Sequence, residues 1–443
     1  MEILDATIVA TALPAMAAEL GVRPLDATAV VTAYLITLAV LIPLSGWVAD
    51  RFGVRRVFLV AVAVFTLASA GCALAPDLTT LVGMRVLQAA GGAMMVPVGR
   101  LAVLRSVERS QLVRAIAYLT WPALIAPVVA PLFGGLIVTH SDWRLIFAIN
   151  IPIGVVGLGA AAMWCRPAER HLGRRRLDVT GVALTTLAIG AAIYAAQQVA
   201  ADSPQWAVIA GCVVAAAVLG VGAVRRMRTS PHPLLNLDVL QTHSFASVVG
   251  FGTVYRLVIS AVPFLLPLMF QLEFGWSPVA AGAMVTALFV GNVGVKPLTT
   301  PMMQHWGIRR VLVVDLVVSV VAFVALAVLG PGTATAVIVV VLVVSGALRS
   351  IGFSAYNTLA FADVDAAELS DANAVHAAVE ELGSAFGVAL VAVAISVFAD
   401  VRGLPAGAYS AAFMLLAALT VICVFGATRL PTAAGARALG PRR

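Results

Sequence analysis

Long apolar runs, each close to the length of a bilayer-spanning helix, alternate along the whole chain with short breaks of Gly, Pro and charge. A helix needs roughly 20 apolar residues to cross the hydrocarbon core of a membrane. On that measure the runs predict fourteen spans, at 1–19, 27–49, 57–75, 78–101, 112–138, 144–165, 178–199, 205–224, 243–271, 277–303, 309–329, 333–358, 371–399 and 408–428. The break between the second and third runs reads Gly46-Trp-Val-Ala-Asp50-Arg51-Phe-Gly53-Val-Arg55-Arg56-Val57, and a related one, Gln304-His-Trp-Gly307-Ile-Arg309-Arg310-Val311, lies between the tenth and eleventh. Gly53 aligns with Gly307, and Arg55-Arg56 with Arg309-Arg310. Such a repeat in so apolar a chain points to two related membrane halves. The fold class expected is all-α integral membrane: two pseudo-symmetric six-helix bundles plus two linking helices. The expected domains are a first bundle over 1–165, a basic linker with two extra spans over 166–242, a second bundle over 243–429 and a cytoplasmic tail over 430–443.

Composition removes the soluble alternative. The 443 residues are 61% hydrophobic and 11% charged, against about 25% charged in soluble domains. The net charge of +7 is no nucleic-acid signal, because the arginines sit between the apolar runs. With a cytoplasmic N-terminus, Arg51, Arg55, Arg56, Arg100, Arg105, Arg109, Arg114, Arg166, Arg170, Arg309, Arg310 and most others fall inside, and only Arg23, Arg144 and Arg402 outside. That asymmetry is what the positive-inside rule demands, and it places both termini in the cytoplasm. Lys296 is the only lysine, so no phosphate-binding Gly-Lys-Ser/Thr loop exists and no ATPase is built in. Cys72, Cys165, Cys212 and Cys423 are far apart, without metal-ligand spacing. No cofactor or metal is expected, and no nucleophile–base set supports an enzyme. Asp5 and Pro14 interrupt the first run, so no cleavable signal peptide is expected. That run is also short: either its helix is stunted, or about half a helix belongs upstream of Met1.

Ionisable groups inside spans are costly and are functional candidates by default. Here they are Asp5, Arg85, Arg256, Lys296, Asp315, Arg349, His376, Glu380 and Glu381. Gln88 follows Arg85 by about one turn, so both can face one cavity. Arg85 then either tunes a proton carrier or binds an anionic end of a substrate; the alternative is a packing arginine bonded to backbone carbonyls. Asp5 can take and release a proton, or be a solvated helix N-terminus stabilised by the dipole. His376 and Glu380 form an i, i+4 pair able to share a proton, unless their turn still lies at the cytoplasmic surface; Glu381 points about 100° away. Lys296, Arg256 and Arg349 form a cationic set that is a gate, an anion site or an internally neutralised packing element, with Asp315 able to neutralise Lys296. Ala126, Ala130 and Gly134 recur every four residues as a small-residue face, and Pro127 and Pro131 bend the helix beside it. Tyr34, Trp121, Tyr255, Phe264, Phe289 and Tyr356 are either cavity aromatics for lipophilic substrates or interfacial anchors.

Gly46 to Arg56 resembles the loop between the second and third helices of the major facilitator superfamily. Leu4-Asp5-Ala-Thr-Ile-Val9 through Pro14 resembles the first-helix motif of its fourteen-helix drug:proton antiporters. Arg85-Val-Leu-Gln88-Ala-Ala-Gly91-Gly92 resembles their fourth-helix motif, and Trp143-Arg144 through Phe147, Asn150 and Pro152 the start of their sixth helix. The run Gly91 to Arg100, with Lys296, is most similar to a multidrug-transporter branch of that family. The fifth-helix stretch Ala126-Pro127-Val-Val-Ala130-Pro131-Leu-Phe-Gly134-Gly135 departs from the glycine-rich family pattern; Ala89 replaces a usual glycine, and Gln304 stands where the first loop has Asp50.

The resemblance implies the major facilitator fold and a proton-coupled carrier that exports lipophilic or cationic small molecules by alternating access. It implies a monomer in the bacterial inner membrane whose partners are substrate, protons and lipid. Uptake or symport of a metabolite on the same fold, or a non-transporting sensor, are the alternatives. Asp50 is expected to act as a charge latch, so Asp50→Asn should impair transport without blocking insertion.

Overall fold

The computed structural model describes residues 1–106, 112–164, 178–199, 205–230, 233, 235–364, 368–402, 407–431 and 434. Side chains at 100–106 and 112–125 and at scattered helix positions, Gly46, Asp50 and Asp371 among them, lie outside that description. So do Trp121 and the Asp50 latch.

Among the described residues the chain is helical, with no strand. Helix α1 is Glu2–Leu20. α2 runs over 29–52, as Ala29–Leu41 and Ser45–Phe52 joined by a 3-10 turn. Then come α3 (Val54–Ala73), α4 (Leu78–Ser106), α5 (Leu112–His140) and α6 (145–164, with a break after Ala148). α7 is Val179–Val199 and α8 Trp206–Thr229. α9 spans His243–Glu273 and contains π turns at Val248–Gly252 and Met269–Glu273. α10 is Pro278–Gly294 plus Lys296–Trp306, bent by 45°; Pro297 lacks the N–H that would continue the ladder, which explains the kink. α11 (Ile308–Ala327), α12 (Thr335–Ala362), α13 (Leu369–Arg402) and α14 (Ala408–Thr428) complete the order.

Ten of these helices are long and apolar enough to cross a membrane, and the bent α10 makes eleven. The other three, α1, α2 and α5, carry shorter described apolar stretches, Thr7–Leu20, Asp26–Leu38 and Ala126–His140. Asp77 starts α4: its carboxylate accepts from the Thr80 N–H at 2.8 Å and from the Thr80 hydroxyl at 3.0 Å, which satisfies an otherwise orphan helix donor. Leu67, Leu74, Val156 and Met163 are exposed, as lipid-facing side chains are.

Contacts divide the chain into two units. The first holds 1–190, 216–234 and 277–282; the second holds 191–215, 235–276 and 283–443. α7 and α8 are thus each shared between the two. In the first unit α4 packs on α3 and α2, α1 on α5, and α3 on α6. In the second, α11 packs on α14 and α12, and α9 on α13.

The repeated loops adopt one conformation twice. Gly53 has φ 91° and ψ 131°, and Gly307 has φ 81° and ψ 148°. A side chain is strained there, so glycine at both positions is a backbone requirement. Arg55 Nη2 donates to the Ala162 carbonyl at the end of α6, 2.8 Å away. Arg309 Nη2 donates to the Thr428 carbonyl at the end of α14, 2.7 Å away. Each loop therefore caps the last helix of its own half, satisfying a terminal carbonyl that has no intrahelical partner. Arg51, Arg56 and Arg310 are exposed.

Candidate functional site

In the first unit, Asp5, Arg85 and Gln88 converge as the sequence suggested, and all three are fully buried. Arg85 Nη1 pairs with Asp5 Oδ2 and also donates to Gln88 Oε1 at 2.6 Å. Gln88 Nε2 donates to Asp5 Oδ1 at 3.0 Å and to Ser69 Oγ at 2.7 Å. Asn150 Nδ2 donates to Asp5 Oδ1 at 2.9 Å. Arg85 Nε reaches the Val30 carbonyl at 3.2 Å, and the guanidinium lies 4.0 Å over the Tyr34 ring. Side chains of α1, α3, α4 and α6 and the backbone of α2 thus meet around one carboxylate. Asp5 is no solvated helix end: burial excludes that alternative. Asn150 and Ser69 carry no charge and did not stand out as candidates in the sequence, and Tyr34 stood out only as a cavity aromatic. A lone amide at the start of an apolar run was the signal for Asn150, since amides bond across helices inside membranes.

The α5 face packs as its spacing predicts. Ala130, Pro131, Gly134 and Gly135 are buried. A Cβ at Gly134 would run into Thr11 and Ile8 of α1, and one at Gly135 into the backbone of Pro278 and Val279, which belong to the same unit. Ala126 and Pro127 are half-buried. The seam fixes α1, and with it Asp5.

In the second unit the charges are arranged differently. Asp315 is buried, yet neither carboxylate oxygen has a hydrogen-bond partner. It lies against Gly352, where the Tyr255 hydroxyl also approaches. Lys296 Nζ donates instead to Ser354 Oγ at 3.1 Å. The expected neutralisation of Lys296 by Asp315 is therefore absent, because the two side chains take different neighbours. Arg256 Nε donates to Ser384 Oγ at 2.9 Å, and Arg349 Nη1 has no partner. Tyr255 donates to the Arg349 carbonyl at 3.2 Å, and its ring is 5.2 Å from that of Tyr356.

His376 is buried rather than at a surface, with Nε2 3.1 Å from Asn357 Oδ1 and 3.6 Å from Glu380 Oε1. A small cavity among α9, α12 and α13 is lined by Tyr255, Arg256, Phe353, Tyr356, His376 and Glu380. Glu381, half-buried one residue on, interacts electrostatically with Arg256 and Glu380. Gly383 and Gly387 let α13 meet α9 closely, Gly387 against the Leu257 backbone. The aromatics Tyr34, Tyr255, Phe264, Phe289 and Tyr356 are all buried, which removes the lipid-anchor reading for them. Among the described residues no cluster of ligating side chains could hold a metal.

Stacked apolar helices, a twice-used glycine loop and charge networks inside the spans define a multi-pass helical membrane protein. The model of the Major Facilitator Superfamily matches residues 1–388 and again 248–443, and this chain belongs to that superfamily. Two bacterial relatives are both named "Putative multidrug resistance protein MdtD". The protein of Cronobacter sakazakii is 37% identical over 408 residues, 90% of this chain and 84% of that one. The protein of Yersinia enterocolitica is 35% identical over 456 residues, 100% of this chain and 95% of that one. Among solved structures, a D-xylose-proton symporter superposes with a TM-score of 0.67 at 13% identity, covering 98% of this chain and 96% of the other. A POT family transporter in complex with 5-aminolevulinic acid gives 0.70 at 12% identity, covering 96% and 93%. These likenesses show the fold.

Proposed function

We propose that the chain is a monomeric, proton-coupled exporter of lipophilic or cationic small molecules in the bacterial inner membrane, with both termini cytoplasmic. The names of its relatives support a multidrug substrate range. The observation that carries proton coupling is the Asp5 network. A proton added to Asp5 cancels the charge that holds Arg85 and weakens the bonds from Gln88 and Asn150. Protonation and the packing of α1, α4 and α6 are then one linked equilibrium. A buried Arg85 left without its acid is costly, so the protonated state favours a different arrangement of those helices. That is the coupling an alternating-access carrier needs.

Everted membrane vesicles, acidified inside by respiration, test it. Substrate addition should release lumenal protons in vesicles containing this protein and not in vesicles lacking it. A wide lipophilic panel that evokes no proton movement would overturn the antiport reading. Labelled-substrate counterflow reads direction separately and would expose an uptake carrier.

A further inference from the structure

The second unit gathers three cations around one turn of α12 and leaves two of them unmatched. Arg349 and Phe353 are four residues apart and share a helix face. Arg256 of α9 lies 5.2 Å over the Phe353 ring, and Lys296, at the break in α10, lies 5.8 Å over it. Arg349 itself lies 5.2 Å over Phe289 of α10. Glycines bring these helices together: Gly346 of α12 sits on the Leu288 backbone, and Gly291 of α10 on the Val343 backbone. Lys296 and Arg349 are close enough to repel each other, as are Arg349 and Arg256.

The acids do not balance this set. Glu381 acts on Arg256, and Glu380 is engaged by His376 and Asn357. Among the described residues no carboxylate lies within ion-pair distance of Arg349 or Lys296, and Asp315 has no partner at all. Among the described residues Lys296 hydrogen-bonds to the Ser354 hydroxyl alone, and Arg349 Nη1 makes no hydrogen bond. Arg349 stands halfway along a membrane-spanning helix, where an unmatched charge is expensive and persists when it has a task.

We infer that Arg349 and Lys296, with Arg256 beside them, form an anion-binding site for substrate: an oxyanion, such as a carboxylate, sulfonate or phosphate, carried on a lipophilic body. The inference rests on the transport reading and changes one part of it. The resemblance implies lipophilic or cationic substrates; this cluster repels a cation, and only an anion relieves the mutual repulsion of the three side chains. The surrounding rings of Phe289 and Phe353 suit the apolar body. An anionic lipid headgroup shares the same chemistry.

The test is equilibrium binding to the purified full-length protein in phosphatidylcholine nanodiscs, without a pH gradient. The probes are 2-naphthoate, its neutral amide and 2-naphthylmethylammonium. Naphthoate should bind about tenfold or more tighter than the amide, and the cation weakest. Lys296→Gln and Arg349→Gln should each abolish most of that preference while amide binding stays, and Lys296→Arg should keep it. Lys296, half-buried at a helix break, carries the test if the Arg349 variant fails to fold. Equal binding of naphthoate and amide, tighter binding of the cation, or an unchanged preference in Lys296→Gln would overturn the site. Adding phosphatidylglycerol distinguishes the sources: competition supports a lipid headgroup as occupant, and undiminished naphthoate binding supports a free small molecule. Because no gradient is present, failure here leaves proton coupling standing, and silent everted vesicles leave this result standing.

Discussion

Asp5 and Asp315 are both buried aspartates on apolar helices, and their surroundings are opposite. Asp5 receives an arginine and two amides from α4 and α6. Asp315 receives no hydrogen bond. The first unit therefore cancels its internal charge on the spot. The second leaves an acid bare in one place and two cations bare in another. Breaking a buried pair is costly, and an unpaired charge inside a span is a functional candidate by default.

The sharpest way to break the comparison is Asp5→Ala. It strands Arg85, and the loss should be about 3–5 kcal/mol, read as a large drop in the thermal unfolding midpoint in detergent. A variant as stable as the parent would mean that the network holds nothing together. Next come the helix seams. Gly134→Val in the first unit and Gly346→Val in the second should each cost about 1–3 kcal/mol, because the added atoms meet Thr11 and Ile8 or the Leu288 backbone. If only the first is damaging, the second unit is the more yielding of the two. Asp315→Asn keeps the shape, breaks no hydrogen bond and removes an unpaired buried acid, so its unfolding midpoint should hold or rise. A loss like that of Asp5→Ala would reveal partners for Asp315. Smallest are Arg55→Ala and Arg309→Ala, each removing one partly solvated carbonyl contact, about 0.5 kcal/mol. Matched effects in unfolding titrations would confirm that the two loops do equal work.

The helical architecture was legible because spanning a membrane leaves a coarse pattern: apolar runs of fixed length, with arginines sorted between them. The Asp5–Arg85–Gln88 cluster was legible for the same reason, since charge in such runs stands out. Asn150 was not, because an uncharged amide perturbs hydropathy little. The partners of Lys296 were misread because proximity along the chain says nothing about which way a kinked helix turns its side chains. The break after Gly294, set by Pro297, directs Lys296 to Ser354 of α12 and away from Asp315. The interior of α2 was read as continuous, whereas a short 3-10 turn, Ile42–Leu44, joins its two pieces.

The two arginine caps bear on how the protein is made. Arg55 is synthesised 107 residues ahead of the Ala162 carbonyl it will hold. Arg309 precedes its Thr428 carbonyl by 119. Neither bond can form until the final helix of its own half has been synthesised. Each half therefore closes onto its loop only once its last helix exists, α6 for the first and α14 for the second. An incomplete half leaves its arginine at the membrane surface without the carbonyl that the finished fold supplies.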